Sequence, residues 1–127
     1  MSRNLNISGW ANAEHAVRLR HTLQTWLDDH DLPEELRIDI VLATNEAISN
    51  AVEHAYRDQP PGVVLLTARR TVEHVVVSVS DQGTWRPPPA DSGNRGRGLG
   101  IIRAVAATVD VDTRPGGTTI TTCYLTG

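Results

Sequence analysis

The sequence predicts a two-layer α+β sandwich: a mixed, mainly antiparallel sheet with helices on one face. Two observations carry this. Apolar residues recur at helical spacing up to about residue 56 and at strand spacing soon after. The element order β-α-α-β-β-loop-α-β-β also sets adjacent helices beside hairpins, which is the α+β pattern. A chain of 127 residues fits one domain with a core of its own, so residues 1–127 are expected to fold as a single unit.

The elements follow in order. "NLNI" (4–7) is a short strand, closed by a turn at Ser8-Gly9. A helix is expected from Ala11 to about His30, because Ala16, Leu19, Leu23 and Trp26 or Leu27 share one face. Arg18 and Arg20 fall largely elsewhere, on a solvated face. "DDHDLP" breaks this helix. Pro33 suits the first position of the next, and Glu34 and Glu35 suit its positive dipole end. That second helix should run from Pro33 to about Tyr56, with Ile38, Val41, Leu42, Ile48 and Val52 as its buried arc. "VVLLTARR" and "HVVVSVSD" are β-branched runs of strand length, joined through "TVEH". The Gly- and Pro-rich "QGTWRPPPADSGNRGRG" is too long and polar for a simple turn and reads as a loop within the domain. "LGIIRAVAAT" is a short helix. "VDVDT" and "TTITTCYL" close the chain as strands around "RPGG".

Composition narrows the function. A net charge of -3 gives no basic footprint for nucleic acid. No apolar run approaches the ~20 residues of a membrane span, and "MSRNLNISGW" lacks a signal-peptide core, so a cytoplasmic location is the default expectation. Cys123, the single cysteine, has no partner for an internal disulfide or a zinc site.

The polar residues raise a sharper possibility. Glu46, Asn50 and His54 recur every four residues and form one slowly drifting stripe. With residues about 100° apart, Glu46 falls just outside the expected apolar arc, and Asn50 and His54 lie progressively further round. A carboxylate at the edge of a core can line a cleft. In "HVVVSVSD", Asp81 has the parity of Val75, Val77 and Val79, so it continues the apolar face where the strand ends. Gly83 then allows close approach to the backbone. "GRGLG" (96–100) opens a helix with uncovered N–H groups and a nearby Arg97, an arrangement that attracts anions. It is not a P-loop, since no Gly-Lys-Ser/Thr follows. A solvated helix edge for Glu46 and Asn50, and a strand-ending turn for Asp81, are the plain alternatives.

Taken together and in order, "EAISNAVEHAY", "DQG", "GRGLGI" and Gly117-Thr118 resemble the motifs of the GHKL ATPase superfamily. Within it they most resemble the small anti-sigma-factor serine/threonine kinases of bacterial stress response and sporulation. The resemblance spans nearly the whole chain and implies the Bergerat fold, ATP and Mg²⁺. It implies Glu46 as general base toward a protein hydroxyl or water, and Asn50 as the Mg²⁺ ligand. Asp81 would accept a hydrogen bond from the adenine amino group, with Gly83 making room for the base. Gly96, Arg97, Gly98, Leu99 and Gly100 would hold the phosphates, and Thr118 would support the adenine end. For His54 a phosphate contact and a structural role both remain open. The implied partners are a sigma factor, a STAS-domain anti-sigma-factor antagonist that the kinase phosphorylates, and a second copy in a homodimer, with the first helix and the sheet edge supplying contacts.

One departure stands out: the family's second motif often reads Asp-x-Gly-x-Gly, and here Trp85 occupies the second glycine's place, followed by Arg86 and three prolines. That stiffens the hinge of the implied ATP lid. It supports one alternative, a nucleotide-binding partner-switching module that transfers nothing; an ATPase domain cut from a larger protein is a separate second alternative.

Overall fold

The computed structural model of the chain describes residues 3–55, 62–83 and 97–126, and only the backbone at 54, 55, 97 and 98. Strand β1 (Asn4–Trp10) leads into helices α1 (Ala13–Asp28) and α2 (Glu34–Asn50), and α2 continues as a π-helical turn, Ala51–Ala55. Strands β2 (Val63–Arg70) and β3 (His74–Asp81), helix α3 (Arg97–Val105), and strands β4 (Thr108–Arg114) and β5 (Gly117–Leu125) follow. The strands form one antiparallel sheet in the order β1-β2-β3-β5-β4, and the helices cover one face. The expected α+β architecture and its element order are therefore present.

The boundaries show what local chemistry decides. No turn forms at Ser8-Gly9: β1 runs on to Trp10, and Gly9 pairs with Val64. Glycine eases packing there, because a Cβ would lie 3.0 Å from that of His15. Helix α1 begins two residues later than expected, where the Asn12 side chain accepts the His15 N–H at 2.8 Å and caps the first turn. It ends at Asp28, two residues short of the expected His30. Pro33 stands just before the first helical residue of α2, with Glu34 and Glu35 in the first turn. In the β2–β3 hairpin, the Thr71 hydroxyl accepts the His74 N–H at 3.0 Å.

The buried face of α2 differs from the one expected. Ile40, Ala43, Thr44, Ala47 and Ile48 are buried, and Ala51 continues the row. Ile38 is 57% exposed and Leu42 39%, so both face outward, and Val41 and Val52 are only half-buried. Of the expected arc only Ile48 is fully in the core. The physical reason is close approach. Small side chains at i, i+4 and i+8 let the α2 backbone come near its neighbours, and large apolar side chains would hold it away. Leu19, Leu23 and Leu27 of α1, Ile102 of α3, and Val64 and Leu66 of β2 complete the core.

Alternation places the site in the sheet. In β3, Val75, Val77, Val79 and Asp81 are buried, and in β5 so are Thr118, Ile120, Thr122 and Tyr124. The register pairs these rows one to one and sets Asp81 directly opposite Thr118.

Candidate functional site

Asp81 ends β3 as a carboxylate at 8% exposure beneath the helical layer. Its Oδ1 accepts the Gly83 N–H at 2.9 Å, which fixes the side chain and turns the buried Gly83 back over it. Burial pushes the Asp81 pKa up, and backbone N–H donation from Gly83 and Thr118 pulls partly against that rise. Across the ladder, Thr118 is 3% exposed, and its Oγ1 has no hydrogen-bond partner among the described residues. A buried hydroxyl left unpaired beside a buried carboxylate is costly unless something polar completes the pair.

Gly117, one residue before Thr118, holds this corner tight. Its φ is +155°, and a Cβ there would collide with the Asp81 carbonyl oxygen and lie 3.0 Å from the Gln82 Cα. The sequence marks Gly117 only through a motif and a turn. The close approach of two backbones depends on register, which no local pattern reveals.

Glu46 and Asn50 lie one turn apart on α2, both half-buried. With the helix rotated as observed, Asn50 sits nearer the buried row than Glu46, the reverse of the expected drift. Asn50 is also the last α-helical residue, directly before the π-helical turn. Such turns widen the helix and recur at functional sites. The run "AVEHA" carries no sequence signal for it.

The motif-bearing elements are packed neighbours. Helix α2 lies along α3 and also reaches β3 and β5, while the π-helical turn touches β3. At the start of α3, Leu99 packs partly buried against the core and Gly100 is exposed with open space around it. The side chains of His54 and Arg97, and the whole of Gly96, Trp85 and the proline run, lie outside the described residues, and only the backbone of Gly98 is described. The structure thus gathers Asp81, Gly83 and Thr118 into one corner. Glu46 and Asn50 lie on α2, which packs against the two strands that form the corner and against α3, where Leu99 and Gly100 lie.

The fold is a two-layer sandwich with a buried acid at the end of β3 and, on a helix packed against that strand, Glu and Asn one turn apart. The chain belongs to the histidine kinase-like ATPase domain family, whose model matches residues 9–124. Membership implies ATP as its ligand, and the corner fits an adenine: an acceptor carboxylate and an unpaired hydroxyl are both buried there.

Among known structures, the RsbU and RsbW domains of Rv1364c from Mycobacterium tuberculosis match 98% of this chain with a TM-score of 0.80 and 28% identity. A blue-light-activated histidine kinase of Erythrobacter litoralis matches 76% with a TM-score of 0.64 and 30% identity. The histidine kinase AdeS of Acinetobacter baumannii, at 14% identity and a TM-score of 0.56, shares the fold. By sequence, "Blue-light-activated histidine kinase 2" of Erythrobacter litoralis is 36% identical over 78 residues. The chain spans 22% of that kinase and 33% of the Mycobacterium structure. No helix among the described residues is long and apolar enough to cross a membrane.

Proposed function

We propose that this chain is an ATP-dependent protein serine/threonine kinase of the anti-sigma-factor kind. It would hold a sigma factor and phosphorylate a STAS-domain antagonist. The observation that carries the reading is the structural match. The RsbU–RsbW structure matches 98% of the chain with a TM-score of 0.80, against 76% and 0.64 for the blue-light-activated kinase and 95% and 0.56 for AdeS. The ordered motifs agree with it.

In this reading Asp81 accepts the adenine amino hydrogen, and Thr118 Oγ1 gains the partner it lacks. Guanine is rejected, since it offers a carbonyl where adenine offers the amino group. The N–H groups at the start of α3, with Arg97, hold the phosphates. Asn50 would hold Mg²⁺ through its amide oxygen, and the cation would offset the negative charge of the phosphates. ATP supplies the phosphoryl group and ADP as leaving group. Glu46 takes the proton of the substrate hydroxyl as that oxygen bonds to phosphorus.

The test is phosphotransfer from labelled ATP to a purified STAS partner. Transfer that survives acid treatment, and that is lost in Glu46→Gln with ATP binding kept, supports the reading. An acid-labile phosphate points to a phosphohistidine and to the histidine-kinase alternative. ATP binding with no transfer to any hydroxyl supports the non-catalytic alternative, which Trp85 in place of the second glycine favours.

A further inference from the structure

The apolar side chains that α2 turns away from the core do not scatter. Ile38, Val41 and Leu42 line a groove between α1 and α2 with a volume of about 620 Å³. Val17, 60% exposed, stands one turn before the groove-lining His21 on α1 and continues its edge. Three of the large hydrophobics exposed on the described surface (Val17, Ile38 and Leu42) therefore border one feature. Such clustering marks an interaction surface, whereas single exposed apolar residues do not. The groove lies on the outer side of the helical layer, away from the Asp81 corner, and none of the residues assigned to nucleotide lines it.

Its shape and charge identify the occupant. From Glu34 to Asn45 the groove follows α2 for about three turns, roughly 16 Å at 1.5 Å per residue. That length suits a third helix laid alongside α1 and α2. The mouth near the α1–α2 connection is acidic. Asp28 and Glu34 line it and Glu35 adjoins it, with Arg37 as the local cation, bonded to Asp28 at 2.7 Å. Asp29 and Asp31 border a separate cavity with Arg3 and Arg70. The carboxylates that remain for a partner are thus Glu34 and Glu35. Beyond the far end, half-buried Arg20 of α1 bonds Ser49 of α2 at 3.4 Å and ties the two helices together.

We propose that the α1–α2 groove docks an amphipathic helix of a partner protein. Apolar residues at i, i+4 and i+7 would lie on Ile38, Val41 and Leu42, and lysine or arginine at one end would meet Glu34 and Glu35. The inference stands apart from the nucleotide reading, because it uses none of the same residues.

The test titrates the ¹⁵N-labelled chain with three defined helical peptides of equal length. One carries the leucine stripe with lysines at one end, one has those lysines replaced by glutamates, and one is the lysine peptide with its stripe shuffled. The lysine peptide is expected to shift the amides of Val17, Ile38 and Leu42, and to bind at least about tenfold more tightly than either control. The double variant Ile38→Ser/Leu42→Ser should weaken it by a similar factor. Glu34→Lys/Glu35→Lys should reverse the preference toward the glutamate peptide. ATP affinity and Tm, measured on the same variants, should stay close to those of the parent chain.

Equal binding of all three peptides, shifts confined to the open sheet face, no reversal on charge swap, or no binding at about 1 mM peptide would each overturn the proposal. Concentration-dependent self-association abolished by the serine variant would overturn it too, by showing a second copy in the groove.

Discussion

Gly117→Ala puts the greatest demand on the site geometry. The new Cβ would be driven into the Asp81 carbonyl oxygen, with the Asp81 carbonyl carbon at 3.1 Å and the Gln82 Cα at 3.0 Å. These are backbone atoms of a paired strand and its turn, so no side chain can swing aside. A φ of +155° adds a backbone penalty for any residue with a Cβ. Overpacking of this kind costs about 1–3 kcal/mol, and the strained backbone adds about 1–3 more. A loss of roughly 2–4 kcal/mol follows if part relaxes by opening the β4–β5 turn, lowering Tm by about 10 °C for a domain of this size. Relaxation must shift Asp81 or Thr118, so ATP affinity should fall along with stability. Gly116→Ala is the matched control: nothing lies within 4 Å of its Cβ, and its effect should stay within about 0.5 kcal/mol. Thermal melts and calorimetric ATP titration of both variants decide the matter. If Gly117→Ala melts and binds ATP like Gly116→Ala, the approach of Gly117 to Asp81 is not what shapes the corner.

Other expectations can be checked with the same preparations. Ile48→Ala, at a fully buried site, should cost about 2–5 kcal/mol in denaturant unfolding, whereas Ile38→Ala on the outer face should stay within about 0.5 kcal/mol. If the two costs are similar, α2 is not rotated as described. Gly100→Ala, inside α3 with open space around it, should stabilise the chain by about 0.5–1 kcal/mol; a lower Tm would show that the helix start needs glycine. Glu46→Gln should reduce phosphotransfer by about 10²–10⁴-fold while ATP binds within about threefold of the parent value, and equal loss of both would reassign Glu46 to binding.

The sequence was legible where period and parity speak directly. The three helices, the hairpin runs and the buried side of Asp81 follow from spacing, since β-strand parity is strict and a residue two positions from Val79 must share its face. The register that sets Asp81 opposite Thr118, and so exposes the role of Gly117, depends on pairing across 37 positions of sequence. No local pattern holds that information. Helix α2 misled for another reason. Its large apolar residues outnumber its core, while Ala43, Ala47 and Ala51 carry little hydrophobic weight despite filling the buried row. A reading weighted by side-chain size selects the arc at Ile38 and Leu42, which faces outward. The π-helical turn after Asn50 was invisible because α and π turns accept the same residues.

The burial of Asp81 couples folding stability to the proposed adenine contact. Its pKa is raised from 3.8, first by burial, so the folded chain holds the proton more tightly than the unfolded chain does. The sign follows directly. The stability this proton contributes is fully present below pH 3.8 and is lost as pH rises through the folded value. At neutral pH the ionised Asp81 therefore weighs against folding. Asp81→Asn keeps an acceptor for the Gly83 N–H without the charge, so the ligand-free variant should melt higher than the parent near pH 7 and match it near pH 4. ATP should bind the parent progressively less well as pH falls through the folded pKa, because a protonated carboxyl is a weaker acceptor for the adenine amino group. The variant should lack that dependence and bind less tightly near neutrality. A ligand-free Asp81→Asn protein that melts lower than the parent at pH 7 would mean that the carboxylate is a structural anchor, and the adenine assignment would lose its physical basis.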